Sequence, residues 1–154
     1  LRRRDGIMAL SLVAELEDGT IVGHIICSNA VVKKENQVLP VLNFGPLSVL
    51  PEYQRQGVGK ALVQAMIEQA KRIDYGAILF FGRPEYYPQF GFKEAIFYEI
   101  SDSEGFNYPA FMAMELKEGY LKDIRGGKYF ESDIFNDELN LETVRAFDRE
   151  FANK

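Results

Sequence analysis

Apolar and polar residues alternate through "ALSLVAEL" and again through "TIVGHIICSNAVVKK", with "EDGT" between the two runs. Period-two alternation on either side of Asp18-Gly19 predicts a β-hairpin. A third strand-like run, "QVLPVLNFGPLSVL", is interrupted by Pro40, Gly45 and Pro46, which predicts an edge, a bulge or a splayed end. From Val58 the period changes. Val58, Ala61, Leu62, Ala65, Met66, Gln69, Ala70 and Ile73 recur at spacings of three and four, predicting a helix of about 17 residues with these side chains on its buried face. Lys71 and Arg72 suit the negative end of its dipole. The continuous apolar run "GAILFFG" at residues 76–82 reads as a buried central strand. Strand, helix and strand in that order demand parallel pairing and a right-handed crossover.

Beyond this unit, "RPEYYPQFGF" reads as a short turn or helix that Pro88 limits to little more than one turn. Strands follow around residues 93–99 and 110–116, then a "GGKYF" turn and strand and a closing amphipathic helix, "LNLETVRAFDREF". The class is α/β or α+β: a mixed sheet, antiparallel at its start, with helices packed on it.

Composition narrows the function. The chain of 154 residues has neither an internal repeat nor a low-complexity linker, so one domain over residues 1–154 is expected. A hydrophobic share of 47% with 27% charged residues is that of a soluble globular protein rather than a disordered one. The net charge of −5 does not favour nucleic acid, and "LRRR" at the start is too short to reverse that. A lone cysteine, Cys27, cannot close an internal disulfide; it implies a reducing compartment, and its apolar setting "IICS" implies core packing. No run approaches the roughly 18 apolar residues of a membrane span and no signal peptide is visible, so a cytoplasmic location is expected. The chain opens on Leu1 in what reads as the last turn of a helix, which suggests that an upstream segment has been lost or left out.

Chemistry concentrates at the start of the predicted helix, in "PEYQRQGVGKAL". A helix N-terminus leaves N–H groups unpaired and carries partial positive charge, so it attracts anions. Gly57 and Gly59 remove the side chains that keep a phosphate at a distance from those groups. The alternative is that the glycines only ease a tight turn. Of the phosphate motifs, the Walker pattern has Gln54 where its first glycine belongs and Ala61 where its hydroxyl belongs, and the dinucleotide pattern has Leu62 in place of its third glycine. Both fail.

A third pattern fits. Gln54-Arg55-Gln56-Gly57-Val58-Gly59 resembles the acetyl-CoA pyrophosphate loop [QR]-x-x-G-x-[GA] of the GNAT superfamily of N-acetyltransferases. "GPLSVLPEYQ" is similar to that family's fourth strand and exit turn, "GAILFF" to its fifth strand, and "YYPQFGF" to its late Tyr-x-x-x-Gly-Phe motif; together they cover about residues 44–95. "GRPEYYPQFGF" resembles a bacterial branch of uncharacterised members. The resemblance implies a mostly antiparallel sheet with one parallel strand–helix–strand unit, here without the family's usual N-terminal strand and helices. It implies acetyl-CoA as acetyl donor and no metal. Backbone N–H groups from Gln54 to Lys60 (Gln54, Arg55, Gln56, Gly57, Val58, Gly59, Lys60) then hold the pyrophosphate, with Arg55 and Lys60 adding charge. Leu47, Ser48 and Val49 pair with the pantetheine arm, and an N–H of Leu47 or Ser48 polarises the thioester carbonyl. Tyr87, four residues before Gly91-Phe92, donates a proton to the departing thiolate; packing is its alternative role.

The expected activity is acetyl transfer to a primary amine, on a small molecule or a peptide, by direct attack on the thioester. A non-catalytic acyl-CoA-binding or regulatory module on the same fold is the alternative, because no base stands out. Glu52 follows Pro51 and reads as solvent-facing, and His24, the one histidine, lies within a strand. "GGKYFESDIF" reads either as a homodimer interface or as a strand capping its own sheet.

Overall fold

A computed structural model describes residues 10–131 of the chain. The readings made for "LRRR" and for the closing helix lie outside these residues. Among the described residues seven strands form one sheet in the order β1-β2-β3-β4-β6-β5, with β7 also on β2. β1 (Leu12–Glu15) and β2 (Ile21–Lys34) make the first hairpin, and β3 (Gln37–Val49) returns antiparallel along nearly all of β2. At the first corner, Asp18 accepts the N–H of Thr20 at 2.9 Å and Gly19 takes φ 90°. α1 (Val58–Arg72) then carries the chain to β4 (Ala77–Phe81), which pairs parallel to β3 through Leu42 and Ile78. The mixed sheet and its parallel crossover are as the sequence predicts.

β6 (Phe111–Glu115) pairs antiparallel to β4, and the two-residue β5 (Lys93–Glu94) pairs with β6. The strand predicted to reach residue 99 stops early. A 3-10 turn at Ala95–Tyr98 replaces its second half and is closed by Glu99 at φ 56°, whose N–H donates to the Ile96 carbonyl at 2.9 Å. β7 (Lys128–Phe130) shares the outer edge of β2 with β1, since β3 takes the other edge throughout.

Two apolar layers hold the sheet. Ile25, Cys27, Leu42, Phe44, Ile78 and Phe80 point toward α1, whereas Ala30, Val32, Val41, Ala77 and Leu79 point away from it, beside Ile100, Phe111 and Tyr129. Side chains alternate faces along a strand, so a strand covered on both faces loses its polar alternation. That explains why residues 76–82 read as a continuous apolar run, and why β2 is buried from Val22 to Ser28 despite its alternating look. Burial pushes the Cys27 thiol up to about 12, in keeping with a packing role.

The buried face of α1 differs from the predicted one. Leu62, Val63, Met66, Ile67 and Ala70 are buried, while Ala61 and Ala65 are exposed. Both stripes satisfy the spacing of three and four, but Val63 and Ile67 remove more apolar area from water than two alanines do, and the helix settles on them.

Gly76 is required by close approach. A Cβ on Gly76 would stand 2.2 Å from the Tyr120 ring, which is anchored by its hydroxyl to the Pro40 carbonyl at 2.7 Å. Gly76→Ala is expected to destabilise the fold by about 2 kcal/mol and lower Tm by roughly 4–8 °C. An unchanged melting curve would show that the Tyr120 ring is not fixed there.

Candidate active site

The carboxyl ends of parallel neighbours are where open sheets leave room for ligands. Here β3 and β4 pair at Leu42 and Ile78 and then part. The departure is built into β3. Ile25 faces Leu47 and Cys27 faces Phe44, so Gly45 and Pro46 together oppose Ile26 alone, a β-bulge with Gly45 at φ 137°. Past the bulge, β3 follows β2 to Val49 and leaves a cleft on its β4 side.

That cleft has a volume of about 780 Å³, with Leu47, Val49, Gln54, Arg55, Gly57, Gly59 and Lys60 on one wall and Gly82, Arg83, Tyr86 and Tyr87 on the other. Among the described residues three cations and no carboxylate line it, in a chain of net charge −5. The local field therefore favours an anion where the whole-molecule field does not.

The first wall is a loop folded around a helix N-terminus. Leu50 donates its N–H to Val22 at 2.8 Å, a 3-10 turn spans Pro51–Tyr53, and the Gln54 side chain donates to the Val49 carbonyl at 3.1 Å. Arg55 at φ 64° and Gly57 at φ 87° are both left-handed, a backbone alternation that aims successive N–H groups at one point. Gly57 is the N-cap and offers no side chain, so the N–H groups of Val58, Gly59 and Lys60 have no carbonyl one turn back; Ala61 is the first to find one, Gly57, at 3.0 Å. Not every residue singled out in this stretch reaches the cleft with its side chain. Ser48 is exposed and stands opposite His24, Gln56 donates to the Glu52 carbonyl at 2.9 Å, and Val58 packs into the core under α1.

The second wall depends on Gly82. A Cβ there would lie 2.6 Å from both Phe80 and Tyr87, so only glycine lets the Tyr87 ring cross the end of β4. Tyr87 opens the 3-10 turn Tyr87–Phe90 and packs edge-on against Phe80 (4.7 Å between centroids), Tyr86 (4.9 Å) and Phe44 (5.6 Å). Desolvation, and then the neighbouring Tyr86, raise its phenol above the ordinary value, while Arg83 pulls the other way. The Tyr86 hydroxyl reaches across to Gly59, 3.6 Å from where a Cβ would be, and the Arg83 guanidinium lies over the Tyr86 ring at 5.7 Å. Gly82, Arg83 and Tyr86 were not among the sequence-derived candidates. The signal for them is their place directly after the carboxyl end of a buried strand whose neighbour is parallel.

Two other sequence candidates lie away from the cleft. Glu52 is exposed, and His24 is buried with its Nε2 3.2 Å from the Ser11 hydroxyl oxygen.

Residues 9–94 match the Acetyltransferase (GNAT) domain. The chain belongs to the GNAT family of N-acetyltransferases. It is similar to the uncharacterised N-acetyltransferase YhbS of Escherichia coli K12, with 28% identity over 124 residues, 80% of this chain and 73% of that one. It also resembles YjhQ of the same organism, at 39% identity over 85 residues, 55% of this chain and 46% of that one. Among solved structures, E. coli YhbS in complex with CoA superimposes with a TM-score of 0.72 at 26% identity, covering 82% of this chain and 68% of that one. A GNAT acetyltransferase from Brucella melitensis in complex with acetyl-CoA gives 0.60 at 27% identity, covering 81% and 67%. The open, mostly antiparallel sheet with its single described α-helix is thus the GNAT fold.

Proposed function

We propose that the protein transfers the acetyl group of acetyl-CoA to a primary amine by direct attack of the amine on the thioester. One observation carries this reading: a single cleft joins a helix N-terminus ringed by cations, the parted end of β3, and the Tyr87 ring. The CoA and acetyl-CoA bound by the E. coli and Brucella relatives support the choice of ligand.

In this mechanism the N–H groups from Arg55 to Lys60 hold the pyrophosphate, since that of Gln54 donates to the Pro51 carbonyl at 3.4 Å, and the Arg55 and Lys60 side chains neutralise it. Leu47 and Val49 offer their backbone to the pantetheine arm, and the N–H of Leu47 binds the carbonyl oxygen as negative charge develops on it; Ser48, in register with His24, turns its backbone groups toward β2 instead. The amine nitrogen forms the new C–N bond as the C–S bond breaks. Tyr87 gives its proton to the leaving thiolate and is reprotonated from solvent, which takes up the surplus proton of the amine.

Calorimetric titration with acetyl-CoA, using ATP as control, tests the cofactor site; thiol release with added amines tests turnover. Binding of acetyl-CoA with a Kd in the micromolar range and none of ATP is expected, because the loop departs from the nucleotide patterns. Absence of acetyl-CoA binding refutes the reading. Binding without thiol release across an amine panel would assign the chain to acyl-CoA binding alone.

A further inference from the structure

Opposite the Tyr87 face of β3 and β4 lies a second aromatic group. Phe80 joins Tyr87 under α1, so the next residue, Phe81, points to the other face, where it stacks with Phe111 (4.8 Å, 22°) and with Tyr108 (5.7 Å, 22°). Phe81 is 39% exposed, Tyr108 43% and Phe106 62%. The parallel pairing of Leu42 with Ile78 sets Phe81 level with Gly45 in the bulge, and the adjoining Gly82 lines the cleft. The rings therefore begin where the cleft ends, on the far side of the gap between the strands.

A polar scaffold holds them in water. The Asp102 carboxylate accepts the N–H groups of Glu104 and Phe106, both at 2.9 Å, and the Tyr108 hydroxyl at 3.2 Å; the Asp102 N–H donates to the Phe106 carbonyl at 2.9 Å. Chain order is thus maintained in a loop whose large apolar side chains stay outside the core, the arrangement of a binding surface rather than of packing. The electrostatics have a sign. Slight desolvation raises the Tyr108 phenol first, then its bond to Asp102 and the carboxylates of Asp102, Glu104 and Glu131; desolvation raises the Glu131 carboxyl in turn, so the charge fixed at this ring is Asp102, 3.2 Å from its hydroxyl. Aromatic faces within a negative field recognise ammonium groups.

We propose that this surface is the acceptor subsite, and that the acceptor is a primary amine bearing an aromatic or apolar group. Its body lies on Phe81, Tyr108 and Phe106. Its nitrogen passes Phe81 into the gap between β3 and β4, and Asp102 and Glu104 draw the ammonium form to the site. This inference rests on the acetyl-transfer reading above.

The test compares 2-phenylethylamine with ethanolamine, which offers the same amine with a hydroxyl in place of the ring. With saturating acetyl-CoA, kcat/KM for thiol release is expected to be at least tenfold higher for 2-phenylethylamine. Tyr108→Ser and Phe106→Ser, both exposed positions, are each expected to raise its KM roughly tenfold while leaving kcat and the acetyl-CoA Kd unchanged. Equal kcat/KM for the two amines, or an unchanged KM in both variants, overturns the proposal. A separate NMR titration of the cofactor-free protein with 2-phenylethylammonium should shift the ring signals of Phe81 and Tyr108, and no shift there also overturns it. Because this titration needs no acetyl-CoA, a failed patch is distinguishable from a failed cofactor site.

Discussion

Gly59→Glu is expected to lower acetyl-CoA affinity more than 100-fold without unfolding the protein. A Cβ at this position meets the Tyr86 hydroxyl at 3.6 Å and Val49 at 3.7 Å, ordinary contact distances, so a side chain can leave the helix there. Glutamate in the first turn also suits the helix dipole. Its carboxylate then takes the space and the N–H groups that the pyrophosphate needs, and repels it. A loss above 100-fold corresponds to about 2.7 kcal/mol or more, in line with removing charge-assisted hydrogen bonds and adding repulsion. Gly59→Ala is the matched control and should keep most of the affinity. Gly57→Glu added to Gly59→Glu should also abolish binding, with a stability cost because Gly57 is left-handed at φ 87°. Calorimetry beside a thermal melt checks all three, and an unchanged affinity in Gly59→Glu would move the phosphate away from α1.

Tyr87→Phe is expected to reduce kcat by about 100-fold while the Kd for acetyl-CoA stays within about twofold. The ring stays in place because its packing against Phe44, Phe80 and Tyr86 does not use the hydroxyl. The pH profile separates a proton donor from a spacer. Burial raises the phenol above its ordinary value of 10.0, so the proton is kept through neutral and mildly alkaline pH and lost as pH rises through the raised value. Wild-type kcat should accordingly hold to beyond pH 10 and then fall, and the phenylalanine variant should lack that fall. Full activity in the variant would leave Tyr87 as a wall of the cleft and nothing more.

Much of this was legible in the sequence because it rests on local rules. The Asp18-Gly19 corner, the shift of period at Val58 and the doubly apolar run at 76–82 each specify an element without reference to the rest of the chain. The interruption at Gly45 and Pro46 likewise foretold irregular pairing, and the bulge stands there. What the sequence left open depends on tertiary context. Val63 and Ile67 displaced Ala61 and Ala65 because the sheet offers more area to bulky side chains, a property of the partner surface and not of the helix. The early end of β5 depends on Glu99 closing a turn, whose carbonyl then accepts the N–H of Gly126, far along the chain. Arg83 and Tyr86 entered the site only once β4 was known to end beside the parted end of β3. The aromatic loop at 102–108 bears no family motif, and its meaning lies in what it stands next to.

The single pairing between β3 and β4 has a mechanical consequence. Backbone hydrogen bonds fix register to the residue, whereas apolar contact tolerates small sliding. Across the middle of this sheet, continuity past Leu42 and Ile78 passes to side chains: the buried Tyr129 hydroxyl accepts from the Asn43 side chain on β3 and donates to the Leu79 carbonyl on β4, and Phe44 and Phe80 stand only 4.1 Å apart between centroids. The two halves of the sheet are thus pinned at the base of the slot by a single buried hydroxyl, and above it they are joined by side chains alone.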